Sequence, residues 1–112
     1  MIIYSSNKLL SDVALYCAEK LFVDLYSVKI IISECCLKHD NAMGWTYDLF
    51  EDEIDIEIDK NLSNDKKILT MCHEMVHVRQ AARGDEAFCE IEANKLEGVL
   101  YDEFRLIQTT NR

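Results

Sequence analysis

The run from Ile68 to Ala82, I-L-T-M-C-H-E-M-V-H-V-R-Q-A-A, constrains this chain more than any other stretch. It contains His73-Glu74-Met75-Val76-His77, an H-E-x-x-H. Residues four apart on a helix lie one turn apart on the same face, so both imidazoles reach one metal ion. Glu74 falls beside the pair, where it can hold a water against that ion. Imidazole nitrogen and carboxylate oxygen in a tetrahedral arrangement are the usual company of zinc. Between Ile68 and Val78 only Thr70, His73, Glu74 and His77 are polar. Apolar residues cover well over half of the helical wheel, so the helix is expected to be buried on most sides. Two histidines and a glutamate in such a helix are costly unless something satisfies them, and a cation does so.

The other segments build a frame around that helix. Ser6–Tyr26 reads as a first helix, with Leu9, Leu10, Val13, Cys17 and Leu21 at helical spacing and Ser5 or Ser6 as its cap. Ser27–Ser33 is short and β-branched, hence a strand. Glu34–Asn41 is a polar connection. Ala42–Phe50 and Glu53–Asp59 form a hairpin. In its second arm Ile54, Ile56 and Ile58 face one way, and Glu53, Asp55, Glu57 and Asp59 face the other. One packed and one acidic, exposed face follow, and the carboxylates would discourage pairing at a sheet edge. Ser63 or Asn64 caps the H-E-x-x-H helix, which runs to about Arg83 and ends at Gly84. Asp85 opens a last helix reaching about Gln108, within which Gly98 marks close packing or a kink. The connection Arg83-Gly84-Asp85 is short, so the two helices fold back on each other. That brings Glu86, Glu90, Glu92 and Glu97 toward the histidines. The expected fold is α+β: an N-terminal helix, a small three-stranded sheet and two packed helices carrying the site, as one domain over residues 1–112.

Composition narrows the partners. The net charge is −9, which disfavours nucleic acid and anionic membrane surfaces. No apolar run approaches the length of a membrane span, and the first residues lack the layout of a signal peptide. Cys17, Cys35, Cys36, Cys72 and Cys89 are scattered and include no C-x-x-C, as in a reduced cytoplasmic protein. Cys35 and Cys36 with His39 are a second conceivable chelating group, but adjacent cysteines hold one ion poorly.

A catalytic zinc needs three protein ligands and an open position. Periodicity leaves Glu86, Glu90 and Glu92 open as the third. The segments His73-Glu74-Met75-Val76-His77-Val78-Arg79-Gln80 and Glu90-Ile91-Glu92-Ala93-Asn94-Lys95-Leu96 resemble minimal zinc metallopeptidases of the glutamate-zincin type. The likeness is to the SprT-like and ImmA/IrrE-type proteins, especially small phage-encoded ones, and covers about Ile54 to Glu97. In that clan the third ligand lies in an E-x-x-A-N/D pattern, so the resemblance implies Glu90 as ligand. It also implies Asn94 as the residue orienting His73 or His77. SprT proteins proper use a third histidine and bind DNA; no histidine follows the motif here. What carries over is the zinc-hydrolase core; the expected location is the cytoplasm, that of the host if the protein is phage-encoded as the resemblance implies.

The expected activity is a zinc metallopeptidase acting on a peptide or protein substrate. Zn2+ is held by His73, His77 and Glu90, and Glu74 is the general base. Tyr47, Tyr101 and Arg79 are candidates for stabilising the oxyanion. The resemblance makes Ile54–Ile58 the edge strand beside the cleft, along which a peptide would add as a further strand. A catalytically silent zinc-binding interaction module is the alternative, and it needs the same ligands without Glu74.

Overall fold

The computed structural model describes residues 1–37, 42–48 and 52–110. The elements in chain order are β1 (Ile2–Ser5), α1 (Lys8–Lys20), a 3-10 turn (Val23–Leu25), β2 (Lys29–Cys35), β3 (Gly44–Asp48), β4 (Glu53–Asp59), α2 (Asn64–Ala82) and α3 (Glu90–Thr110). The class is α+β as expected, but the sheet has four strands, in the order β1-β2-β4-β3. β1 and β4 both run parallel to β2, and β3 is antiparallel to β4.

Several boundaries differ from the sequence reading, each for a local reason. β2 begins at Lys29, not Ser27, and takes in Glu34 and Cys35, expected in the connection, because they pair with Ile58 and Asp59 of β4. The first helix starts later because Asn7, not Ser5 or Ser6, caps it: Asn7 Oδ1 accepts from the Leu10 amide. It stops at Lys20 because Phe22 adopts φ 60°, which turns the chain and lets Val23 enter the core. β1 escaped the reading because four residues are too few for alternation to show. The last helix opens at Glu90, not Asp85. Buried Gln80 ties down Cys89, accepting from its amide at 3.0 Å and donating to its carbonyl at 3.1 Å, so the helix begins only after that clamp.

Another expectation is overturned. β4 is hydrogen-bonded on both sides, to β2 and to β3, so Ile54–Ile58 is an inner strand. Its carboxylates therefore guard no edge, and they are half-buried, not fully exposed. β3 ends the sheet on the side of the H-E-x-x-H helix. The alternation itself holds, and Ile54, Ile56 and Ile58 are buried under the helices. Each such side chain contributes about 1.5–3 kcal/mol.

α2 is buried along most of its length, including Met71, Cys72, Met75, Val76 and Val78. Ser63 caps it through its hydroxyl, and Gly84 follows its end at φ 81°. A polar clasp ties three elements together. Glu34 at the end of β2 accepts from Lys67 of α2 at 2.6 Å and from Asn7, the cap of α1, at 2.8 Å. The Lys67 bond, then that of Asn7, holds the Glu34 carboxyl below its ordinary value.

A depressed carboxylate adds stability above its unfolded pKa and loses it as pH falls through the folded one. Urea unfolding should therefore show Glu34→Gln less stable than the parent at neutral pH. The gap should shrink as pH drops below about 4.3. The glycines give a second, opposed pair. A Cβ on Gly44 would meet Thr70 Cγ2 at 2.8 Å and the Glu57 carbonyl at 3.1 Å, so Gly44→Ala should cost about 1–3 kcal/mol. A Cβ on Gly98 meets nothing within 4 Å, so of the two readings open there close packing is ruled out, and α3 runs unbroken through it. Gly98→Ala should stabilise by about 0.5–1 kcal/mol.

Candidate metal centre

The two packed helices bring His73, His77 and Glu90 together. One ligand atom from each lies within 4.8 Å of the others, and no other such group of three occurs among the described residues. Glu90 sits in the first turn of α3 and straddles the pair. Its Oε2 is 2.9 Å from His73 Nε2 and its Oε1 is 2.7 Å from His77 Nε2. The side chain of His77 is 3% exposed and that of Glu90 is 64% exposed, so the group is rooted in the core and opens to solvent over α3.

The hydrogen bonds behind the imidazoles decide which nitrogens are bare. Gln80 is fully buried. Its Nε2 lies 3.1 Å from the Cys89 carbonyl and 3.0 Å from a Glu92 oxygen, both acceptors, so this end must be the NH2. Its Oε1 therefore accepts from the Cys89 amide at 3.0 Å and from His77 Nδ1 at 2.9 Å. With the proton on Nδ1, a neutral His77 presents a lone pair at Nε2. That atom is buried and has no hydrogen-bond partner. In that neutral form the lone pair lies 2.7 Å from Glu90 Oε1 and the two repel, and a cation held by both would turn the repulsion into two bonds.

His73 is set by a carboxylate. Glu97 Oε2 accepts from its Nδ1 at 2.8 Å, leaving Nε2 toward Glu90. Glu97 lies two turns beyond Glu90 on the same face of α3. The expected role of Asn94 is thus filled by others: Glu97 orients His73 and Gln80 orients His77. Asn94 instead lines a neighbouring pocket. The ring of Phe88 stacks on His77 at 4.9 Å between centroids and closes its far side.

Glu74 is buried one turn from His77, and Thr46 of β3 donates to its Oε1 at 2.7 Å. Burial pushes its carboxyl above the ordinary value; the Thr46 bond and the two imidazoles pull it down, and Glu90 pushes it up. A pocket of about 240 Å³ lies alongside, walled by Met43, Gly44, Leu69 and Thr70 and floored by His73 and Glu74.

The rival third ligands point elsewhere. Glu92 is held by Gln80 and by Arg79 at 3.3 Å, and these contacts lower its carboxyl. Glu86 lines a separate hollow with Asp48 and Phe88. Of the oxyanion candidates, Arg79 is turned to Glu92, Tyr101 packs against the core and Tyr47 stands 44% exposed on the sheet; none lines the pocket at His73. Cys35 faces Glu57 and Cys36 faces Asn61, so the adjacent thiols do not share a partner. His39 lies outside the described residues. Gln80, Thr46 and Phe88 were not singled out from sequence. Only Gln80 leaves a signal there, three residues after His77 on one helical face.

Comparison with protein families, with curated proteins and with solved structures returns no match.

A divalent cation bound by these three residues should raise the melting temperature of the parent, because it binds the folded state. Differential scanning fluorimetry should show that rise lost in Glu90→Gln and kept in Glu86→Gln. Glu97→Gln should weaken the metal affinity about ten- to a hundredfold.

Proposed function

We propose that this chain is a zinc-dependent peptidase of the glutamate-zincin type, with His73, His77 and Glu90 as ligands and Glu74 as general base. The observation that carries the reading is the buried, unpartnered His77 Nε2 facing Glu90, with a buried carboxylate one turn away. Two nitrogens and one oxygen suit zinc, and three protein ligands leave a position open. Zinc bound there polarises a carbonyl and lowers the pKa of its water to roughly 7.

The chain's own residues supply the rest. Glu74, fixed by Thr46, takes a proton from the attacking water and returns it to the leaving amine. Gln80 and Glu97 keep both imidazoles aimed at one point. β3, the end strand, supplies the edge along which an extended peptide adds, replacing Ile54–Ile58 in that role. Gly44 of β3 and His73 share the wall of the 240 Å³ pocket, which then receives a substrate side chain. The resemblance of the H-E-x-x-H and E-x-x-A-N segments to small phage-encoded zinc peptidases supports the same assignment. No described helix is long and apolar enough to cross a membrane.

Glu74→Gln should keep stoichiometric zinc and lose hydrolysis of a mixed peptide library by about 10²–10⁴-fold. His77→Ala should lose both. Mass spectrometry of the library with and without chelator reads the outcome. Cleavage by Glu74→Gln at the parental rate would remove Glu74 from the mechanism. Zinc binding with no chelator-sensitive cleavage by the parent would favour the silent binding module.

A further inference from the structure

The helices cover one face of the sheet only. All three contribute to the core that holds Ile30, Ile32, Ile54, Ile56 and Ile58, so none of them lies over the opposite face. Down the middle of that open face run Glu53, Asp55, Glu57 and Asp59 of β4. Apolar side chains flank this row on both sides. Tyr4 and Ile31 come from β1 and β2, and Trp45 and Tyr47 come from β3. Tyr4 is 51% exposed and Trp45 is 43% exposed. Among the described residues the one cation on this face is Lys29, which lies 3.7 Å from Glu53 and 6.0 Å from the Tyr4 ring centroid.

Asp55 gives an independent sign that the face is incomplete. In register it sits between Ile31 and Tyr47. Its Oδ1 is buried and has no hydrogen-bond partner. Burial first, then the charges of Glu53 and Glu57, pushes its carboxyl up. A cation docked over this row would offset the repulsion among Glu53, Asp55 and Glu57. A second copy of this chain would not, because it would set carboxylate against carboxylate between molecules of net charge −9.

We propose that this open sheet face binds a basic amphipathic helix of another protein, with Lys or Arg side chains along β4 and apolar side chains against Tyr4 and Trp45. The lengths agree. The carboxylate row spans six residue steps, about 20 Å. A helix of about fourteen residues is about 21 Å long. The cationic centre pairs with the carboxylates, and the aromatic flanks supply anchors of the kind that dominate binding energy. The surface shares no residue with the metal cluster, so it acts whether or not zinc is bound.

The test uses a fluorescein-labelled Leu/Lys amphipathic peptide of about fourteen residues. Anisotropy reads binding, and Trp45, the single tryptophan, reports from the face itself. Saturable binding is expected, with a blue shift of Trp45 emission, unchanged by chelator. A Leu/Glu peptide of the same pattern should not bind. The Asp55→Lys/Glu57→Lys double variant should weaken binding at least about tenfold, and Trp45→Ser, which leaves the charge intact, by about tenfold. Circular dichroism confirms that both are folded; Trp45→Ser, at an exposed position, carries the test if the charge reversal disturbs the sheet. Equal affinity for the two variants and the parent would overturn the proposal. So would an unmoved Trp45 emission at saturation, or equal binding of a Ser/Lys peptide that lacks the apolar residues.

Discussion

One carboxylate lying across two imidazoles is the constraint on which this molecule depends. Glu90 reaches His73 and His77 at 2.9 and 2.7 Å, yet the nearer nitrogen has no hydrogen bond. Gln80 is why. Its amide is fixed by three partners that leave it no alternative orientation, and its Oε1 accepts from His77 Nδ1, which leaves Nε2 toward Glu90. An unsatisfied buried polar group costs about 1–3 kcal/mol. A small domain keeps such a group where a ligand repays the expense. The clamp that holds His77 also sets where α3 begins, because Gln80 grips the backbone of Cys89 immediately before Glu90. Ligand geometry and helix boundary are thus one set of hydrogen bonds.

The sheet serves that centre from one side. β3 closes the sheet next to α2, and Thr46 reaches across to hold Glu74. Gly44, where no Cβ fits, lets the strand approach Thr70 and opens the pocket beside His73. Because β3 and not β4 is last in the order at this end of the sheet, the strand whose Thr46 holds the carboxylate of Glu74 also has an unpaired side among the described residues. The opposite face, acidic in the middle and aromatic at the flanks, has no part in this centre.

Much of this was legible in the sequence where periodicity and spacing act over short range. The i, i+4 histidines placed the centre, Ser63 and Gly84 bounded α2, and the strict alternation of β4 sorted its faces. Strand order was not legible, because the hydrophobic pattern of Ile54–Ile58 reads the same in an inner strand as at an edge. The start of α3 was missed because Asp85–Cys89 has no helix breaker; a side chain from the previous helix stops it. The partners of the imidazoles were missed for a related reason. Glu97 is seven residues from Glu90, but only the packing of α3 on α2 shows that it reaches His73. Asn94, chosen through a family pattern, is displaced by it.

X-ray absorption at the zinc edge of the reconstituted protein tests the central claim most directly. The account predicts one zinc per chain with a shell of nitrogen and oxygen only. It expects two imidazole nitrogens at about 2.0–2.1 Å and a carboxylate oxygen at about 2.0–2.2 Å. Sulfur at about 2.3 Å from any of the five cysteines, or no retained zinc at all, would contradict it.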